Sequence, residues 1–462
     1  MNKIKNIYSR VLYILFFVII SNFLINLIFD KRLKDFVSFN FYDIFSGFFL
    51  FIFLFIVGKS IQSRFQLENV SISIVIYLFS FFVLDIVILF VYKQLLFKEI
   101  FIITNVLWFL VLALNKSSRT YLPISIVGYL SLNFFVKFSN SFLTKNFNIL
   151  GDVEAVFFNQ AKNIYENSYY FSINNFVMEG YPQFISYFHS LFLKISSTQT
   201  NYDFYSFTSH IVFYLSILFF LELDISKKNK VLLCSIFTVF IFNSTWFQFL
   251  FTTSLMSEGL VSLFTAITLS YSLTNLKKDT PELFFGLATY GLIYFSKQFN
   301  SFITIVSVLI FYLLFKNRKI LIYGLSGLIM KELLFIFAFP NIEKDHHIRQ
   351  IDLIDTIFDL LLLRELQFEN VFIILKNLWI DKPFSLILLI FYFVFLYQLL
   401  VFKDFKFFET STFFIINLNI LMVFALYISV WKNMELESPI RYFLNYFHLI
   451  LVYIFLNLDK QK

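Results

Sequence analysis

The segment 151–165, GDVEAVFFNQAKNIY, sets two carboxylates, Asp152 and Glu154, two residues apart where a helix is expected to open over 153–166. A helix N-terminus favours negative charge. Asp152 is therefore suited to accept a proton from an attacking hydroxyl or to hold a cation. It is equally suited to cap the helix, and the two roles are compatible. Glu154 reads as a second acid, a metal partner or a solvated surface residue. Cationic counterparts stand far along the chain at Lys297 and Arg441, the latter in a short acidic loop and followed by Tyr442. Arg can grip a phosphate with a two-pronged fork and Lys acts as a point charge. Both could instead snorkel to headgroups. Glu258 is a further candidate for contacting an acceptor or a metal, as are His346 and His347 beside Asp345, which also read as plain solvated loop residues. No metal can be assigned, although a divalent cation would suit the acidic pair.

The elements that must hold these residues are apolar. Apolar residues make up 59% of the 462 and charged ones 15%, against roughly 45–50% and about 25% in soluble domains. Apolar runs recur at 11–29, 41–57, 70–92, 100–114, 121–136, 204–221, 231–249, 259–273, 283–295, 301–315, 320–339, 384–402, 412–430 and 442–458. They predict an all-α polytopic membrane protein of about fourteen spans. Lys3, Lys5 and Arg10 precede the first run with no small-residue cleavage site, as in an uncleaved first helix. The pair of runs flanking Lys297 is short.

The net charge of +7 comes from tight clusters between runs, such as Lys59/Arg64, Lys227/Lys228/Lys230 and Lys316/Arg318/Lys319. With the N-terminus inside, these fall on even-numbered, cytoplasmic connections, as the positive-inside rule requires. That pattern argues against nucleic-acid binding and puts both termini in the cytoplasm. Two large outer-face loops follow, about 137–203 and 340–383, with interfacial helices expected at 184–195 and 351–366. Cys234, the only cysteine, excludes a disulfide framework and a thiolate metal site within the chain. Asp85, within an apolar run, reads as a structural hydrogen-bonding group or a protonated acid, and Lys331 and Glu332 are expected to face the protein interior or to snorkel. His189, His210 and His448 read as fillers of amphipathic faces.

Asp152, the aromatic Phe157, Ala161-Lys162 and Tyr181-Pro182 together resemble the first large outer loop of the GT-C superfamily of membrane glycosyltransferases. Family members commonly carry Trp where this chain has Phe157. The segment 287–299, LATYGLIYFSKQF, is similar to the family helix that ends in lysine, and 437–442, ESPIRY, is similar to its last outer loop. The likeness runs from about residue 121 onward. It divides the chain into an N-terminal four-helix membrane addition, 1–119, and a catalytic region, 120–462. It implies an inverting hexosyl- or pentosyltransferase of the aminoarabinose/mannosyl transferase type. The donor would be a polyprenyl-phosphate-linked sugar, the acceptor unknown, the setting the lipids of a bacterial cytoplasmic membrane, and Asp152 the base. Other readings of the same chain are a lipid-linked saccharide flippase or transporter, a polysaccharide polymerase or ligase, and an assembly scaffold. A transporter would be expected to show internal repeats and Gly/Pro-broken helices, of which the sequence has little.

Overall fold

The computed structural model describes residues 41–91, 97–114, 206–243, 257–275, 280–293, 299–338, 369–380, 382–402, 407–429 and 443–459. Apart from short turns the described residues are helical, and none of them forms a strand, so the fold class is all-α. In chain order the helices are α1 (Phe41–Phe65), α2 (Val70–Val91), α3 (Phe97–Ala113), α4 (Ser206–Glu222), α5 (Lys227–Asn243), α6 (Ser257–Asn275) and α7 (Pro281–Leu292). They continue with α8 (Phe299–Phe315), α9 (Arg318–Ala338), α10 (Glu369–Ile380), α11 (Lys382–Tyr397), α12 (Phe407–Ser429) and α13 (Phe447–Asp459). A π turn, Gln398–Phe402, extends α11, and a 3-10 turn, Leu444–Tyr446, leads into α13.

Every expected apolar run that falls on described residues overlaps a helix; the runs 11–29 and 121–136 lie outside the described residues. One stretch among the described residues, the 18-residue Phe384–Val401, is by itself long and apolar enough to cross a membrane, with 22% of it buried inside the protein. The helices expected at 153–166, 184–195 and 351–366 also lie outside the described residues. Helix α10, by contrast, occupies part of the second long loop where no helix is expected. Its run of Val371, Phe372, Ile373 and Ile374 is too short to span a bilayer, but Ile374 packs into the core.

Three helices form the centre. On α4, α6 and α13 nearly every described side chain is buried, which requires helices that are apolar or internally satisfied all round. Helix α6 carries many hydroxyls, and several are returned to its own backbone: Thr268 donates to the Phe264 carbonyl at 2.7 Å, Ser272 to Thr268 at 2.7 Å and Thr274 to Ser270 at 3.0 Å. Small residues let neighbours approach closely. A Cβ on Gly291 of α7 would stand 2.8 Å from the Gly324 carbonyl oxygen and 2.9 Å from Gly327 Cα, so α7 and α9 touch backbone to backbone.

One end of the bundle is tied by carboxylates. Glu222, at the end of α4, accepts from the backbone N–H groups of Val70 and Ser71 at 2.8 and 2.9 Å and from the Ser71 hydroxyl at 2.6 Å. It thereby caps α2 from another helix, where the exposed N–H groups favour an anion. Glu282 at the start of α7 accepts from Glu68 N–H at 2.8 Å. Asp459 at the end of α13 accepts from Ser226 N–H at 3.0 Å and Asn229 Nδ2 at 2.8 Å, capping α5. The connections 66–69 and 223–226, the start of α7 and the end of α13 thus share this end.

Two sharp exits belong here too. Gln66 sits in the left-handed region (φ 57°), and Leu67 N–H reaches back to Gln62 O at 3.0 Å, a six-to-one closure of α1. Lys316 (φ 51°) closes α8 by a bond to Tyr312 O, after which Asn317 caps α9 through its bond from Lys319 N–H at 3.0 Å.

Candidate functional site

Of the residues singled out for chemistry, Asp152, Glu154, Lys297, His346, His347, Arg441 and Tyr442 lie outside the described residues. Glu258 stands in the first turn of α6, where only its backbone is described, and the same holds for Asp85, Lys331 and Glu332 within their helices. What is described is the set of elements that flank three of these positions. Helix α7 runs to Leu292 and α8 resumes at Phe299, so Lys297 falls in the connection between them. Arg441 and Tyr442 immediately precede Phe443 and the turn Leu444–Tyr446.

These flanks meet. The Tyr290 ring on α7 is buried, with the side chains of Ser307 and Thr304 from α8 and of Tyr446 from the turn around its hydroxyl. The turn Leu444–Tyr446 packs along α6, the helix that opens at Ser257 and Glu258. The carboxylate-tied end holds Tyr271 near the close of α6, Glu282 at the start of α7 and Asp459 at the close of α13. The start of α6, the finish of α7 and the entry to α13 therefore point to the opposite end. Glu258 opens α6 at that end, and the described residues that flank Lys297 and Arg441, the close of α7 and the turn before α13, lie there too.

Polar satisfaction there is incomplete. Asn445 is 0% exposed, and neither its Oδ1 nor its Nδ2 has a hydrogen-bond partner. The Tyr290 hydroxyl is likewise buried with no bond of acceptable geometry. Single hydroxyls elsewhere share that condition, among them Ser226, Thr280, Ser411 and Thr412. Among the described residues, Asn445 is the one side chain with two separate polar atoms unmet. No sequence signal marks it, since an asparagine beside tyrosine at the start of an apolar run looks like an ordinary interfacial pair.

His448 differs from the expectation of an amphipathic filler. It is fully buried between α4 and α6, with Nε2 2.8 Å from Ser216 Oγ and Nδ1 2.8 Å from Ser262 Oγ. Ser216 already donates its proton to Val212 O at 2.5 Å, so Nε2–H donates to Ser216 and Nδ1 accepts from Ser262. Ser262 Oγ in turn accepts the His448 backbone N–H at 3.1 Å. A neutral imidazole completes this network, and the ring stacks on Phe220 at 5.8 Å. With both nitrogens engaged, His448 joins the three central helices and has no free lone pair for catalysis or metal binding. A lone ionisable residue within an apolar run is the signal that could have found it.

Among the described residues no group of three or more His, Cys, Asp or Glu side chains is placed to hold a metal ion, and Cys234 is a buried free thiol. No protein-family model, no curated protein and no solved structure matches the chain.

Proposed function

We propose that the protein is an integral membrane glycosyltransferase that takes a sugar from a polyprenyl-phosphate carrier at the outer face of a bilayer. Membrane embedding is supported by apolar side chains on both faces of the peripheral helices. On α11, Phe384, Ile387 and Phe391 are buried, while Leu389, Phe393 and Leu400 on the other face are 66%, 67% and 72% exposed. The stripe Ile103, Val106, Leu107, Leu110 of α3 and the stripe Ile305, Leu309, Leu313 of α8 repeat this pattern. In water each such Leu or Phe would forgo about 1.5–3 kcal/mol of burial, and contiguous patches of this kind mark a lipid- or partner-facing surface. Helices α1, α2, α9 and α12, of 25, 22, 21 and 23 residues, reach roughly 32–38 Å at about 1.5 Å per residue. A bilayer's hydrocarbon core is about 30 Å thick.

Sidedness draws on the carboxylate-tied end. The connections gathered there include those bearing Arg64 and the Lys227/Lys228/Lys230 cluster, which the charge rule assigns to the cytoplasm. The opposite end then faces outward, and about fourteen crossings put Asp152, Arg441 and both long loops on that side. The observation that carries the catalytic reading is the meeting of the elements that flank Lys297 and Arg441, combined with the GT-C-like pattern around Asp152. In the proposed reaction an acceptor hydroxyl oxygen attacks the anomeric carbon and its proton passes to Asp152. The bond from that carbon to the phosphate oxygen breaks, and polyprenyl phosphate departs with its charge met by Arg441 and Lys297. Single displacement inverts the anomeric centre. Glu154, Tyr442, Glu258, His346 and His347 remain the candidates for assisting groups, with or without a divalent cation.

The decisive experiment is transfer from polyprenyl-phosphate sugars by the purified protein, with Asp152→Asn beside the wild type. The expected result is loss of transfer by at least about a hundredfold with unchanged thermal stability; an active Asn variant removes Asp152 from its role. Orientation is tested in a Cys234→Ser background carrying Asp224→Cys, an exposed position at the tied end. An impermeant maleimide should label it only after the membrane is opened, and labelling of intact cells would reverse the topology. Vesicles that move a lipid-linked saccharide across the bilayer without transferring it would favour the flippase reading instead.

A further inference from the structure

We propose that the turn between α8 and α9 docks the phosphate headgroup of an anionic phospholipid, with Lys316 and Arg318 as the groups that hold it. The proposal rests on the membrane reading above and is independent of the sugar-transfer chemistry. Phe284 on α7 meets Tyr323 on α9 at 5.0 Å, and farther along both helices a Cβ on Gly291 would stand 2.9 Å from Gly327 Cα. Helices α7 and α9 therefore run parallel, and α9 opens at the carboxylate-tied end. The starts of α2, α5 and α7 at that end are each given an acid: Glu222 caps α2, Asp459 caps α5, and α7 carries Glu282 in its own first turn. Helix α9 has no acid in its first turn. Its start is crowded instead by Lys316, Arg318 and Lys319, all exposed, and its cap is the neutral Asn317. Among the described residues no carboxylate pairs with Lys316 or Arg318.

Three cations within four residues repel one another, and the positive end of a helix repels them further. The charge rule puts cations on this side of a bilayer but does not call for crowding them without a counter-charge. Lys316 adds a backbone cost, because its φ of 51° is the conformation for which glycine is the default at a helix exit. A strained position that keeps a charged side chain points to a function for the charge. The neighbours show what carries the anion. Leu313 and Leu314 in the last turn of α8, and Ile322 one turn after Arg318 on the same face of α9, are each more than half exposed. The exposed stripe continues along α8 through Leu309 to Ile305, a length of roughly 12 Å, and along α9 to Ile329. Cations at the edge, with apolar side chains running from them into the bilayer, fit a molecule that has a phosphate at one end and acyl chains along the rest. Arg318 offers a two-pronged fork to the phosphate oxygens and Lys316 a point charge. A soluble anion would use the charges and leave the stripe idle.

The test titrates the full chain in detergent with dioleoyl phosphatidylglycerol and dioleoyl phosphatidylcholine, alike in their tails and different in net charge, and counts bound lipid by native mass spectrometry. The wild type is compared with Lys316→Asn/Arg318→Gln and with a control, Lys227→Gln/Lys228→Gln, which removes two exposed cations from the same end. Asparagine tolerates the left-handed backbone at 316. The wild type should prefer phosphatidylglycerol by about 25-fold, about fivefold for each of the two cations. The first variant should lose that preference and the control should keep it. Arg318→Gln alone, outside the strained turn, should lose about fivefold, and it carries the test if the double variant fails to fold. Equal binding of the two lipids by the wild type overturns the proposal, as does a preference that survives in the first variant. An equal loss in the control would show a diffuse field rather than a site and overturns it too. Displacement of phosphatidylglycerol by an equal concentration of inorganic phosphate would make this a soluble-anion site and removes the lipid. A wild type that stays monodisperse without detergent overturns the membrane reading and this proposal with it, whereas sugar transfer that persists without any lipid preference overturns this proposal alone.

Discussion

Where the chain turns through 66–69 and 223–226, carboxylates are matched to backbone N–H groups at or near helix N-termini: Glu222 holds α2, Glu282 holds Glu68 two residues before α2, and Asp459 holds α5. Around 444–446 at the other end, an amide is buried with no bond at all. Both regions bury polar groups on the same helices, α6 and α7 among them, so local sequence chemistry does not separate them. What separates them is how the charged and amide groups are met: the three carboxylates all bind backbone N–H groups, whereas both polar atoms of the Asn445 side chain are unmet. Single atoms at the tied end, among them Arg64 Nε and the Ser226 and Thr280 hydroxyls, are unmet as well.

The contrast depends on α7, which begins at the tied end and finishes at the open one. Its register is set by contact with α9. A side chain at Gly327 would meet the Ala288 carbonyl and stand 2.9 Å from Gly291 Cα, obstacles of backbone that cannot rotate away. Gly327→Leu should therefore cost about 3 kcal/mol or more, read as loss of monodisperse protein on size exclusion, and it should damage both ends together. Glu222→Ala should strike the tied end alone. It strands two backbone N–H groups and leaves the Ser71 hydroxyl with the Tyr271 hydroxyl as its remaining partner, for an expected loss of about 2–3 kcal/mol in thermal unfolding. Glu222→Gln, which keeps one acceptor oxygen, should lose less. Equal losses in the two variants would mean that the carboxylate's hydrogen bonds are not what binds α4 to α2. The smallest effect is a gain: Gln66 holds φ 57°, a conformation that costs an L-residue roughly 1–2 kcal/mol. Gln66→Gly should stabilise by about 0.5–1 kcal/mol after the entropy of glycine is deducted, without changing the open end.

Helices were the most legible part of this molecule. Apolar runs bounded by charges marked the ranges of α2, α8 and α9 closely, because length and composition dominate where every face of a helix is apolar. Helix α10 escaped because its apolar segment is shorter than a span and lies in a loop. Ties between helices were not legible at all. Glu222 and Val70 are 152 residues apart and His448 and Ser216 are 232 apart; no local spacing announces such pairs. His448 looked like a filler because a single histidine among phenylalanines gives no hint of two serines on other helices. The candidate chemistry around Asp152 and Arg441 was read from short motifs, and the described residues reach the flanks of Lys297 and Arg441 without reaching those side chains. Asn445 could be noticed only in three dimensions, since an unmet hydrogen bond is a property of surroundings.

Asp459 carries a consequence for how the chain is made. Ser226 N–H and its acceptor are 233 residues apart, and synthesis runs from the earlier residue to the later. Helix α5 must leave the ribosome and take its place with its first amides open, and it stays so until α13 is in position. The last described helix therefore acts as a latch that closes an element synthesised 233 residues earlier. A chain halted before position 459 would hold α5 without that latch.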